Sequence, residues 1–356
     1  MIIGMHSTSK RTMAAFAIVG VLAVAAIGAQ SANQARDFDA EIRAAVASAK
    51  QAAGFEWQGA LVRTCLQPPQ IAAENTSDTV PGYVTKPASA PPRSEWYAEP
   101  ARVFDDFYFV GGKIHSAWAL TTSEGIILID TIFPYNSDEL IVGGLKKLGL
   151  DPTTIKYVIV THGHGDHIGG AEMLQKEFGA KVVMGGPDWD DVEKYPNRFK
   201  TMSPKREIVA TDGMKITLGG KTVTLWLTPG HTRGTISFTT TVQDRGKPVN
   251  IVSSAGVATS FINSIPDPGI KNFQIYIDSQ KKIAAKAAET KATVLISNHS
   301  EFDDAVDKNR MLAGRGNGPH PYEVGAESVQ NFFKVNQGCA RAAQIALEKQ
   351  AATGSK

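Results

Sequence analysis

Seven residues, Thr161-His162-Gly163-His164-Gly165-Asp166-His167, follow directly on the apolar run Tyr157-Val158-Ile159-Val160. The run reads as a buried strand, and its end carries three imidazoles and a carboxylate within six positions. A packed core has no use for that polarity, since each polar group buried without a partner costs roughly 1–3 kcal/mol. Metal ligation resolves the conflict and requires a fold that ends strands beside one another.

The rest of the chain supplies such ends. Leu225-Trp226-Leu227 runs into Thr228-Pro229-Gly230-His231-Thr232, and Val294-Leu295-Ile296 runs into Ser297-Asn298-His299-Ser300. Five of the eight histidines therefore fall just beyond apolar strands in turn-forming contexts, whereas His6, His115 and His320 do not share the pattern. Two three-donor sets follow: His162, His164 and His231 for one metal, Asp166, His167 and His299 for another. Zinc takes imidazole nitrogen at about 2.0–2.1 Å and, at a catalytic site, keeps a position open for water. Asp166 reads as a ligand of the second metal, a role compatible with its also capping a following helix. Asp130, ending the run Ile126 to Asp130, reads as an acceptor that orients an imidazole or as a turn cap.

Around these motifs strands and helices alternate in two comparable halves. Strand-like runs cover 107–110, 117–122, 126–130, 157–160 and 181–184 in the first half, and 214–218, 222–227, 235–242, 249–254 and 293–296 in the second. Helical patterns cover 37–53, 137–148, 171–178, 273–289 and 326–347. The order predicts an α/β fold with two β-sheets packed face to face and helices on both outer faces. Seven prolines between Pro68 and Pro100 predict an extended arm. Trp189, Tyr195 and Phe199 fall in a predicted loop after Gly185-Gly186-Pro187, where they offer an apolar wall to a ligand or pack on their own loop.

At His162-Gly163-His164-Gly165-Asp166-His167 the sequence resembles the metallo-β-lactamase superfamily, whose signature is His-x-His-x-Asp-His. The resemblance runs from about Phe107 to His299, including the Ile127 to Asp130 strand, the Gly230-His231-Thr232 turn and Asn298-His299. It implies an αββα sandwich and a metal site. Relatives such as glyoxalase II carry a bridging aspartate at the strand end that here reads Ser253-Ser254-Ala255-Gly256, and the first two lactamase subclasses use a cysteine. Neither stands here, which makes the chain most similar to the third subclass, B3, of class B β-lactamases. The resemblance implies a dizinc hydrolase in which a metal-bound hydroxide opens the amide C–N bond of a β-lactam. The metal ligands act as the catalytic set, with Asp166 orienting the nucleophile. The alternative is a lactonase, esterase or thioesterase of the same fold, favoured by a long arm, the Ser253 to Thr259 segment and Glu301 after His299, all departures at the mouth of the site.

Lys10-Arg11, an uncharged run from Met13 to Ala29 and the small residues after it read as a signal peptide over 1–31, with an uncleaved anchor as the alternative. The expected organisation is then an N-terminal helix and Pro-rich arm over 32–101 and a catalytic domain over 102–350, periplasmic or secreted, with no membrane span once the signal is cut. In an oxidising compartment Cys65 and Cys339 either pair or remain two buried thiols. A net charge of +2 with scattered basic residues excludes a nucleic-acid footprint and leaves a small-molecule substrate as the expected partner.

Overall fold

The computed structural model describes residues 36–65, 78–85, 89–259 and 269–354. The predicted signal peptide lies outside the described residues, as does most of the first part of the arm. The chain divides into Met1–Asp39 and a compact unit, Ala40–Lys356, that carries every element discussed below apart from the first two residues of the first helix.

In chain order, helix α1 is Phe38–Ala53, α2 Gln58–Cys65, α3 Gly82–Thr85 and α4 Arg93–Trp96. Strands β1 (Ala101–Arg102), β2 (Phe107–Phe109), β3 (Trp118–Thr122) and β4 (Gly125–Ile129) form a meander. A π-helical turn, Asp138–Val142, continues as α5 (Gly143–Lys147) and leads to β5 (Ile155–Ile159). Next come α6 (Gly165–Ile168), α7 (Ala171–Phe178), β6 (Lys181–Gly185), α8 (Gly186–Lys194) and β7 (Ile208–Ala210). The second half contains β8 (Lys215–Leu218), β9 (Lys221–Leu227), β10 (Ile236–Asp244), β11 (Lys247–Ser254), α9 (Gly269–Glu289) and β12 (Val294–Ser297). It closes with α10 (Ser300–Asp303), α11 (Ala305–Ala313) and α12 (Ala326–Thr353).

The first sheet has the order β1-β2-β3-β4-β5-β6-β7, antiparallel up to β4 and parallel from β4 onwards. The second has the order β12-β11-β10-β9-β8 and is antiparallel except for β11 with β12. Alternation along each strand sorts side chains between the layers. Phe107, Phe109, Ile127, Ile129 and Ile159 share one buried cluster with Leu225, Phe238, Ile251 and Ile296 of the opposite sheet. Their neighbours Tyr108, Leu128 and Val158 pack instead with Leu140, Leu145 and Leu174 on one outer face. On the other outer face Val252 and Leu295 pack with Ile283, Phe332 and Phe333. Strands apolar on both faces are what a sheet covered on both sides requires, and the architecture is the predicted αββα sandwich.

Cys65 and Cys339 form a disulfide, which ties α2 to α12 and decides between the two readings of these cysteines. Where the arm is described it holds two single-turn helices, α3 and α4, rather than an unbroken extended run. Trp189 belongs to α8, not to a loop, and is buried in the outer core, which corrects the predicted apolar wall at that residue, whereas Phe199, packed in the same core, lines the cavity above His164, Asp166 and His231. Pro187 within the first turn of α8 was the signal, because proline is preorganised for a helix start. Tyr195 ends that helix and packs, half-buried, on the same core.

Candidate metal centre

Strands β4, β5, β9 and β12 deliver the predicted residues to one end of the sandwich. The backbone N–H of Ile236 donates to the Thr161 carbonyl at 2.8 Å, joining the end of β5 to the opposite sheet where the histidines gather. His164 precedes α6, so Asp166 and His167 fall on that short helix.

The first set converges as predicted. His162 Nε2 and His231 Nε2 each lie 3.1 Å from His164 Nδ1. The second set is equally close: His167 Nε2 stands 3.2 Å from His299 Nε2 and 3.1 Å from Asp166 Oδ2, with His299 Nε2 3.3 Å from the same oxygen. Donors about 2.0–2.1 Å from a tetrahedral zinc stand roughly 3.3–3.4 Å apart, so both sets have the spacing of ligands sharing an ion. The two sets adjoin, the His162 and His167 ring centres being 4.1 Å apart.

The surroundings orient these rings. Asp130, in the left-handed region at φ 57°, accepts from the Thr161 N–H (2.7 Å), the Thr161 hydroxyl (2.8 Å) and His167 Nδ1 (2.9 Å). With Nδ1 so engaged, His167 turns Nε2 inward, so of the two readings of Asp130, orienting acceptor or turn cap, the acceptor is the one these contacts favour. His231 Nδ1 donates to the Ala258 carbonyl at 2.8 Å and likewise leaves Nε2 facing the cluster. The Asn298 amide lies 3.5 Å from His162 Nδ1, with its own oxygen buried and unpartnered. Turned over, that oxygen accepts the Nδ1–H that a ligating Nε2 requires. Gly256, at φ 65°, runs so close to His231 that a Cβ there would fall 2.5 Å from His231 Cβ, so this one position of the strand end lacking an acid admits no side chain.

Burial holds His162 and His164 well below the usual imidazole range and pushes His231 down to about 4, so all three are neutral and able to ligate. Burial alone would lower His167 too, but the Asp166 and Asp130 carboxylates override it and raise it to about 10. Asp166 is held well below the carboxylate range against its burial, by His167 first and then His299 and His115. The second set is thus a place that favours positive charge. Neutral nitrogens in one set and a carboxylate beside two imidazoles in the second fit a divalent metal pair chemically.

These distances sit within a matching family frame. Residues 110–244 match the family model of the metallo-beta-lactamase superfamily. Over that stretch, which is less than half of the chain, the sequence has the pattern of a metallo-β-lactamase domain. Among solved structures it is similar to a mutant of FEZ-1, the metallo-beta-lactamase from Legionella gormanii, at 25% identity, covering 72% of this chain and 97% of that one with a TM-score of 0.58. It is similar also to BJP-1, a subclass B3 metallo-beta-lactamase of Bradyrhizobium japonicum, at 26% identity over 72% of this chain and 95% of that one, with a TM-score of 0.52. The likeness to subclass B3 read from the sequence therefore stands. Curated relatives match over shorter stretches. The beta-lactamase-like protein 2 homolog of Caenorhabditis elegans is 31% identical over 121 residues, 33% of this chain and 37% of its own length. The hydroxyacylglutathione hydrolase of Acidiphilium cryptum is 33% identical over 84 residues, 24% of this chain and 30% of its own, so the chain spans about a third of these two relatives.

Within the metallo-β-lactamase domain two site residues escaped the sequence reading. His115, placed there among structural histidines, lies against the second set, its Nε2 3.4 Å from Asp166 Oδ2. Asp188 was not singled out at all, yet it accepts from the Gly163 N–H (2.8 Å), the Thr232 hydroxyl (2.8 Å) and the Gly234 N–H (3.0 Å). It thereby fastens the loop of His162 and His164 to that of His231. His320 is the structural histidine expected, stacked on Phe104 with Nε2 2.8 Å from the Val103 carbonyl. A cavity of about 310 Å³ opens over the metal centre, walled by Tyr83, Arg198, Met202 and Ala258 and floored by His164, Asp166, His231 and His299.

Proposed function

We propose that this metal-dependent hydrolase of the metallo-β-lactamase superfamily holds two zinc ions and opens the amide bond of a β-lactam. The observation that carries the reading is the pair of adjoining donor sets, three imidazoles beside Asp166, His167 and His299, at the base of one cavity whose facing strand end at Ala255-Gly256 offers no acid. The likeness to lactamase structures across nearly their whole length supports the same substrate class.

His162, His164 and His231 would hold the first ion, Asp166, His167 and His299 the second. Zinc so held supplies a nucleophile at neutral pH by lowering the pKa of water from 15.7 to about 7, and polarises a carbonyl. The chain's own contribution is orientation. Asp130 fixes the His167 ring, the Ala258 carbonyl fixes His231, and Asp188 keeps the two loops in register. Arg198 lines the cavity, where its guanidinium would pair with the carboxylate of a bicyclic β-lactam.

A second reading is a lactonase or thioesterase acting at the same centre, supported by the hydroxyacylglutathione hydrolases among the relatives. Purified zinc-loaded protein assayed with a cephalosporin, a carbapenem, an acyl-homoserine lactone and a simple thioester separates the two. Lactam turnover is expected, and lactone or thioester turnover without any lactam turnover refutes the first reading. We place the protein in the periplasm or outside the cell, a reading supported by the leader-like first 31 residues and by a disulfide, a bond that persists in oxidising compartments.

A further inference from the structure

We propose that His115 is a fourth protein donor to the second metal position, beside Asp166, His167 and His299. This rests on the two-metal reading above and adds a ligand that the six-residue set lacks.

Asp166 Oδ2 is the centre the neighbouring imidazoles share. Three imidazole nitrogens fan around it, His167 Nε2 at 3.1 Å, His299 Nε2 at 3.3 Å and His115 Nε2 at 3.4 Å. The last distance is long for a hydrogen bond to nitrogen, which is at its best near 2.9–3.0 Å, and matches the roughly 3.3–3.4 Å between two donors on one zinc. The ligand atoms of His115, Asp166 and His299 all lie within 4.8 Å of one another, the same closeness that the His162, His164 and His231 set shows.

The backbone is built to hold His115 there. Its Cα pairs with that of His299 in an isolated antiparallel bridge between the loop after β2 and the end of β12. The Ser116 N–H donates to the Asn298 carbonyl at 2.9 Å, and the Ser300 N–H to the Ile114 carbonyl at 2.7 Å. Ser300 Oγ reaches both Ser116 Oγ and the Gly112 carbonyl at 2.9 Å. Gly112 turns the loop back on itself, its N–H donating to the His115 carbonyl at 2.7 Å, and a Cβ at Gly112 would meet the Trp96 carbonyl oxygen at 2.6 Å. The ring itself stands edge-on to Phe133, with centres 5.0 Å apart, which fixes its plane while Nε2 faces the carboxylate. A histidine serving only as packing needs none of this alignment with a neighbouring ligand.

Three donors leave a zinc position open and a fourth closes it. The second position would then hold its ion by protein atoms alone, leaving the open place to the ion on His162, His164 and His231.

The test is metal binding rather than turnover. Metal-stripped wild-type protein, His115→Ala, His115→Gln, His299→Ala and His162→Ala are titrated with zinc against a competing chelator, and with cobalt followed by its visible absorption. Wild type is expected to bind two ions per chain. Both His115 variants should keep one tight ion and bind the second at least about tenfold more weakly, since removing even a partner behind a ligand typically costs 10–100-fold. Glutamine preserves size and polarity, so it decides the matter should alanine disturb folding. Two ions bound with unchanged affinity in both His115 variants, while His299→Ala loses one, overturns the proposal and leaves the two-metal reading intact. Unchanged binding in His299→Ala and His162→Ala as well removes the two-metal reading, and this proposal with it.

Discussion

Arg198 lines the same cavity as Tyr83 and Met202, above His164, Asp166, His231 and His299, which puts a cationic residue beside whatever enters it. A charge-assisted hydrogen bond contributes about 1.5–3 kcal/mol, which at 1.4 kcal/mol per tenfold is roughly a 10- to 100-fold effect on binding. Arg198→Ala is therefore expected to raise KM for a carboxylate-bearing lactam by that factor, with kcat little changed and no effect on an uncharged lactone. Steady-state kinetics on both substrates checks it, and an equal change for both would remove Arg198 from substrate recognition. Asp303 makes a different prediction. Burial raises its carboxyl to about 7 from 3.8, against Lys308 and the N–H groups of Ser297 and Ala305, with Asp304 adding to the rise. Between these two values the unfolded chain releases the proton before the folded one does, so stability falls as pH rises through the window and the penalty is complete above about 7. Asp303→Asn should lose this dependence, so wild type gains on the variant as pH drops from 7.5 to about 5 in urea unfolding; a gap constant with pH would contradict it. Residues of this kind differ in how legible they are. His162, His164, Asp166 and His167 stand out because four ligand-type side chains adjoin one apolar strand, and His231 and His299 because each follows another. His115 was hidden by the five residues separating it from β2, although Gly111-Gly112 marks it as part of a turn between strands. Asp188 was hidden because its partners are two backbone N–H groups and a hydroxyl, none of which leaves a pattern along the chain.

Among the elements, strands were read more surely than helices, for a physical reason. Runs such as Ile127-Leu128-Ile129 and Val249 to Ser254 are buried on both faces and flanked by turn residues, so their boundaries are punctuated. Helix α8 begins with Gly-Pro, which also reads as a turn, and α2, α10 and α11 are short enough that their helical period is seen barely more than once or twice. The link between α2 and α12 could not be read from spacing at all, since 274 positions separate Cys65 from Cys339. Closing a loop of that length restricts the unfolded chain strongly, and disulfides typically contribute about 2–4 kcal/mol. Reduction, or Cys65→Ser with Cys339→Ser, is expected to lower the unfolding free energy by that amount. The loss should fall on α2 and α12, the elements the bond joins, and hydrogen exchange of these helices reads it out. Unchanged urea midpoints on reduction would show that apolar packing around Trp57, Phe332 and Phe333 already holds the two helices.

At the scale of the molecule, two sheets of opposite connectivity are closed against each other by an apolar core, and their polar residues are displaced to one end. There Asp130 and Asp166 flank His167, whose imidazole burial alone would leave neutral and the two carboxylates hold charged. A divalent ion relieves this arrangement by supplying the positive charge itself, so metal should contribute to folding as well as to turnover. An ion at 100 times its dissociation constant stabilises the fold by about 2.7 kcal/mol, and two such sites act independently only if their donors are separate. Exhaustive chelation is therefore expected to abolish hydrolysis and to lower Tm by several degrees, while the disulfide and the core between the sheets keep the metal-free chain folded. Adding zinc back should restore activity and Tm together, the second equivalent being needed for full recovery of both. Circular dichroism melts run beside the hydrolysis assay follow the two readouts at once. Full turnover after thorough metal removal would sink the metal-dependent mechanism, whereas lost turnover with an unmoved Tm would mean that the donor sets are held in place by the protein alone.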